Sequence, residues 1–202
     1  MSSLKFILIT VPFFWGCASS TEFSGEFELT CNEKCTEQEL HDRKRRDFEN
    51  ALARANFEKI KYYIENKIFD ANDILDKNYM NTPLSISSYY SGPRSLEIVE
   101  YLIKKGADVN KKNGGAASTP LLTAIWKNRN ETAKLLIKYG ADINAKSDRG
   151  YDSCIFAHRW SNFEIMPFLT KCCKRIFEMA PDDILKEEIL RPPIFYQHCK
   201  NY

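Results

Sequence analysis

A five-residue string that returns after 34 positions constrains this chain more than anything else in it. Gly106-Ala107-Asp108-Val109-Asn110 recurs as Gly140-Ala141-Asp142-Ile143-Asn144. Ahead of these strings, Thr82-Pro83-Leu84 recurs as Thr119-Pro120-Leu121, 37 positions on. The three extra residues are an insertion in the first unit, Ser91-Gly92-Pro93. A repeat of this length is one supersecondary unit that cannot bury its own apolar face, so such units must stack into an array.

The local chemistry of each unit is helical. Pro83 and Pro120 suit a first helical turn, where a missing N–H costs nothing and the fixed φ helps. Gly106 and Gly140 suit the end of a second helix, where a left-handed residue is needed. Between these points Leu96, Val99, Leu102 and Ile103 form an apolar stripe that Ala133, Leu136 and Ile137 repeat. The Thr-Pro-Leu start followed by the Gly-Ala-Asp-Val-Asn string resembles the ankyrin repeat. That resemblance implies an all-α solenoid of helix–turn–helix units with short β-turn tips.

Degenerate units flank the clear pair. In Phe48 to Ile64 both helices are expected in compressed register, with Phe57, Ile60 and Tyr63 answering to Leu96, Val99 and Leu102. On the other side, Gly150-Tyr151-Asp152-Ser153-Cys154 replaces the Thr-Pro-Leu start, which puts Cys154 on a core position as a buried free thiol. Phe163, Ile165, Met166 and Leu169 continue the second-helix stripe, and Pro167 should kink or shorten that helix. About four repeats are therefore expected across Asp47 to Arg175, with atypical outer units because their outer faces meet water. Thr36-Glu37-Gln38-Glu39 is a capping box opening a polar helix. Pro181-Asp182-Asp183 opens a C-terminal capping helix through Leu190, stopped by Pro192-Pro193.

The first residues read as an export signal. One positive charge at Lys5 precedes an almost wholly apolar stretch, Phe6 to Phe14, and then Trp15-Gly16-Cys17-Ala18-Ser19-Ser20. Roughly eleven apolar residues cannot cross a hydrocarbon core that needs about 20 in a helix, and the pattern is that of a secretory signal. Gly16-Cys17 resembles a bacterial lipobox, although Phe14 and Trp15 stand where Leu and a small residue are usual. The resemblance implies a diacylglyceryl group on Cys17 and, with Ala18 following it, an outer-membrane lipoprotein facing the periplasm. The alternative is ordinary cleavage near Ser19 and a soluble periplasmic product. The expected organisation is a signal peptide over 1–16, a tether over 17–35, the repeat array over 36–175 and a cap and tail over 176–202.

Seven cysteines are many for 202 residues, and an exported protein can oxidise them. Cys31 with Cys35 is the first candidate disulfide, and Cys199 with Cys172 or Cys173 the second; spacing alone leaves the pairing open. No pair has the two-residue spacing of a zinc knuckle, so no metal or other cofactor is expected. With 29 basic against 27 acidic residues the net charge is +2, which argues against a nucleic-acid partner. Arg43-Lys44-Arg45-Arg46, flanked by Asp42 and Asp47, reads as a solvated helix surface, the alternative being contact with anionic headgroups or an acidic partner. The three histidines, His41, His158 and His198, sit in no nucleophile or metalloenzyme motif, so catalysis is not expected.

Resemblance to ankyrin arrays implies function by surface, on the concave side formed by first helices and turn tips. Aligning the units places Tyr89 and Tyr90, Trp126 and Lys127, and Arg159 and Trp160 at exposed first-helix positions. Aromatic and cationic residues dominate binding hot spots. Turn-tip candidates are Asp76, Lys77, Tyr79, Arg149 and Tyr151. The partner expected is another protein, with the chain monomeric when unbound and held to a membrane by its lipid. Small exported ankyrin lipoproteins resemble immunity proteins, which implies neutralisation of a secreted toxic effector, a phospholipase being one class. The alternative is a scaffold or protective partner for a resident periplasmic enzyme or an envelope complex.

Overall fold

The computed structural model describes residues 36–76, 78–114 and 118–169. Two compact units divide between Lys44 and Arg45. The described part of the first is the opening of α1 (Glu37–Ala53). There the expected capping box is formed: the Thr36 N–H donates to Glu39 Oε2 at 2.9 Å, and the Glu39 N–H donates to Thr36 Oγ1 at 3.2 Å. The Thr36 N–H, and then its hydroxyl at 3.1 Å, hold the Glu39 carboxyl below the usual carboxylate range. The capped polar helix and the first-repeat helix are one element and not two. No Gly or Pro lies between Thr36 and Ala53, so nothing interrupts the 17-residue helix.

The second unit is the repeat array. After α1 come α2 (Phe57–Glu65), α3 (Pro83–Tyr89), α4 (Ser95–Lys104), α5 (Pro120–Trp126), α6 (Asn130–Lys138), α7 (Ser153–Arg159) and a 3-10 helix, Phe163–Phe168. The pairs α1–α2, α3–α4, α5–α6 and α7–3-10 make four repeats of an all-α ankyrin solenoid. Thr82 and Thr119 cap α3 and α5, with Pro83 and Pro120 in the first turn. Asp152 does the same for α7, its carboxylate accepting from the Cys154 and Ile155 N–H groups at 3.0 and 3.2 Å. Gly106 and Gly140 follow the second helices at φ +93° and +86°, as the turn requires. The last second helix is a short 3-10 turn with Pro167 inside it, because in an α-helix the proline ring would clash with the Phe163 carbonyl.

The core runs through all four units. Phe48, Leu52, Ile60 and Tyr63 are buried in the first, Leu84, Ile98, Val99 and Leu102 in the second. Leu121, Leu122, Ile125, Ala133 and Leu136 follow in the third, then Cys154, Phe156, Ala157, Ile165 and Met166. Leu96 departs from the expected stripe: it is 41 % exposed, and Ile98 is buried in its place. At 100° per residue the buried arc of α4 is centred between Ile98, Val99 and Leu102, which leaves Leu96 at its rim. Cys154 is buried as expected, but it is disulfide-bonded and not a free thiol. Its partner lies outside the described residues, as do Cys17, Cys31, Cys35, Cys172, Cys173, Cys199 and the expected capping helix 181–190. Among the described residues no helix is long and apolar enough to cross a membrane.

Asparagine side chains staple consecutive repeats. Asn72 Nδ2 donates to the Gly106 carbonyl at 2.8 Å, and its Oδ1 accepts from the Asp108 N–H at 2.8 Å. Asn110 does the same one repeat on, to the Gly140 carbonyl at 3.3 Å and from the Asp142 N–H at 2.8 Å. The repeated string is thus the adhesive between units as well as the end of each.

The Ser91-Gly92-Pro93 insertion changes one turn. In repeats three and four the first helix closes through Lys127 and Trp160 at ψ 9° and 18°, followed by left-handed Asn128 and Ser161. In repeat two Tyr90 is extended instead, at ψ 154°, and the left-handed residue is Arg94. The detour runs against the first repeat: a Cβ on Gly92 would stand 2.8 Å from the Ala55 Cβ, so only glycine passes there.

Candidate protein-binding face

Because side chains on consecutive first helices occupy equivalent positions, whatever projects there forms a row across the array. The row here is aromatic. Tyr90 packs on Tyr89 with ring centroids 4.8 Å apart, and Tyr89 meets Trp126 edge-on at 5.8 Å. Trp126 reaches Trp160 at 6.3 Å, Trp160 packs on Phe156 at 4.5 Å, and Phe156 meets Tyr151 at 6.5 Å. Six rings from three repeats therefore form one chain of contacts. Tilted and edge-on pairs of this kind each add about 0.5–1.5 kcal/mol beyond their buried area.

Two cations lie among the rings. Lys127 Nζ sits 4.2 Å from the centroids of both Tyr89 and Trp126. The Arg159 guanidinium lies 5.5 Å from Tyr151 and 5.8 Å from Trp160. Their position over ring faces is favourable by about 0.5–2 kcal/mol each, depending on solvent access. The helices beneath are fixed by their buried sides, Ser85, Ser88 and Leu84 on α3 and Leu121, Leu122 and Ile125 on α5. The outward residues are thus held on a rigid base.

A cleft of about 460 Å³ opens beside the rings. Its walls are Tyr89, Tyr90 and Trp126 on the helix side and Tyr79 and Asn81 on the tip side, with Ser85 and Thr123 at the base. The tip is held by a bridge between Asp76 and Asn81, and Asp76 also accepts from the Asn78 N–H at 2.8 Å. Next to the cleft, Met80 adds a 40 % exposed apolar surface to the 58 % exposed Tyr79.

The structure brings together all six first-helix residues named from the alignment, with Tyr79 across the cleft and Tyr151 beside Arg159. Asp76 has a different place, as the anchor of its own tip, and Arg149 is exposed in the tip that precedes α7. Lys77 lies outside the described residues. Alignment missed Phe156, a buried link in the row, and Met80. Phe156 could have been found from its i, i+4 relation to Trp160; Met80 carried no signal beyond standing next to Tyr79.

The opposite face has another character. Arg94 bridges Glu97 at 2.7 Å and Glu58 at 3.0 Å, so the Glu97 carboxyl is held below its usual range. Tyr139 donates to Glu100 Oε1 at 2.7 Å, and Lys104 lies 3.1 Å from the same oxygen. The Glu100 carboxyl is lowered, first by that tyrosine hydrogen bond. Lys134 links Glu131 at 2.7 Å and Glu164 at 3.6 Å. A shallow groove between α4 and α6, holding Leu96 and Leu135, is edged by these ions.

Comparison with known proteins agrees with the architecture. The family model for ankyrin repeats, in three copies, matches residues 96–176. That stretch, under half of the chain, is similar to ankyrin repeats, whose arrays serve protein–protein interaction. No curated protein matches the sequence.

Proposed function

We propose that the chain is a non-catalytic protein-binding ankyrin lipoprotein of a bacterial envelope, and that it neutralises a secreted toxic effector by covering it. The observation that carries the binding part is the row of six rings and two cations on one face beside an open cleft. An array of rigid aromatics backed by a packed core binds without the ordering cost that flexible loops incur. The envelope part is supported by the N-terminal charge, apolar stretch and Gly16-Cys17 pair. A phospholipase is one effector class that such occlusion would silence.

The test is capture from envelope extract and from extract of competing cells, using the folded chain and a Tyr89→Ala, Trp126→Ala, Arg159→Ala variant. A single secreted enzyme held by the native face, lost by the variant and inhibited in its own assay supports the proposal. Equal capture by both proteins moves the site off this face. Capture of a resident periplasmic enzyme whose activity is preserved would establish the scaffold instead. For the anchor, Cys17→Ala should release the protein from membrane after a high-salt wash; retention would contradict acylation.

A further inference from the structure

In repeats two to four the charges are sorted by face. The first helices of repeats two, three and four, Pro83–Tyr89, Pro120–Trp126 and Ser153–Arg159, carry no Asp or Glu. The second helices carry Glu58, Glu97, Glu100, Glu131 and Glu164, each within ion-pair distance of an Arg or Lys. The outer face therefore neutralises itself, whereas on the ring face Lys127 stands without an acid on the first helices of these three repeats. That lysine is half-buried, and its ammonium rests between the faces of Tyr89 and Trp126. Among the described residues no carboxylate lies within ion-pair distance of it.

A ring face stabilises an ammonium only partly, and a carboxylate brought alongside would gain from a site already sheltered from water. Beside that ammonium lies the cleft walled by Tyr79, Tyr89, Tyr90 and Trp126, which suits an apolar or aromatic side chain. Thr123, Asn81, Asn113 and Ser118 also line it and carry polar groups that can bond a peptide backbone. We infer that the ring face receives an acidic–apolar segment of a protein partner, seating an aromatic or aliphatic side chain in the cleft and an Asp or Glu against Lys127. This rests on the reading of that face as the binding site and adds the chemistry of what enters it.

Random dodecapeptides displayed on phage and selected against the full chain, against Lys127→Glu and against Lys127→Met test the inference. Glu at the C-terminal end of α5 opposes the helix dipole, so Lys127→Met decides the matter if Lys127→Glu melts early. The native chain should enrich peptides with Asp or Glu within a few residues of Trp, Phe, Tyr or Leu. In the best of these, Asp→Asn or Glu→Gln should weaken binding roughly tenfold. Lys127→Glu should select against acids, and Lys127→Met should lose the acid preference while still depending on Trp126. Enrichment of neutral or basic peptides that need Trp126 would overturn the inference and leave the face as a binding site. An acid preference unchanged by Lys127→Glu would overturn it as well. Failure to select any peptide that depends on Trp126 would overturn it, and capture of a folded partner would then judge the face separately.

Discussion

The two faces of the array are built from the same repeats and end up with opposite chemistry. Second helices carry paired ions, Arg94 with Glu97 and Glu58, Lys104 with Glu100, Lys134 with Glu131. First helices carry rings, with Trp126 42 % and Tyr90 46 % exposed, and cations laid over them. Exposed ion pairs contribute little to stability, with a median of about 0–1 kcal/mol, but they keep a surface soluble and indifferent. Exposed rings such as Trp126 and Tyr90 do the reverse, and it is on this face that the proposed partner would bind. The lesson is that the fold determines only the buried arc of each helix, and the remaining arcs are free to diverge.

That contrast can be broken in graded ways. The largest effect should come from neither face but from the layer between them. Leu121 is fully buried on α5, and Leu121→Ala should cost about 2–5 kcal/mol, read as a lowered denaturant midpoint. Trp126→Ala should cost about 2 kcal/mol or more of partner affinity, as a central aromatic anchor does. Its melting temperature should move far less than that of Leu121→Ala, because the ring is 42 % exposed. If the melting temperature falls as far, Trp126 is a packing residue and the contrast fails.

Asn110→Ala removes both staples to the next repeat and should cost about 1–2 kcal/mol. Native-state hydrogen exchange should then show repeats three and four opening more readily than repeats one and two. Uniform loss of protection would mean the array melts as one unit.

The smallest effect belongs to the outer face and depends on pH. The folded Glu100 carboxyl is below its ordinary value of 4.5, so its contribution is complete above that pH and is lost as pH falls through the lowered value. The stability gap between the native chain and Glu100→Gln should therefore be small at neutral pH and should close on acidification. A gap that widens toward acid would contradict the assigned shift.

Legibility in the sequence followed punctuation. Repeats two and three were readable because Pro83, Pro120, Gly106 and Gly140 are chemically obliged to sit at helix ends. The first repeat hid its staple, because one extra residue, Phe69, separates Ile68 from Asp70 where the later strings have none. That ring is buried and stacks on Phe48 at 5.1 Å, a contact no local rule anticipates. Leu96 was misassigned because a stripe gives a helix its period but leaves its phase to the neighbours. Cys154 was placed correctly in the core, but bonding depends on which distant cysteine the chain brings near. Of the site, the six first-helix residues followed from alignment alone. The cleft did not, since it needs the tip residues Tyr79 and Asn81 set opposite Tyr90, whose extended backbone follows from the insertion.

The most direct measurement is calorimetric titration of the captured partner against three proteins. These are the native chain, the ring-face variant Tyr89→Ala, Trp126→Ala, Arg159→Ala, and an outer-face variant Arg94→Ala, Glu100→Gln, Lys134→Ala. Binding should weaken by about a hundredfold or more in the ring-face variant and by less than about threefold in the outer-face one, with both variants still folded. Full affinity in the ring-face variant, or its loss in the outer-face variant alone, would contradict the assignment of the binding face.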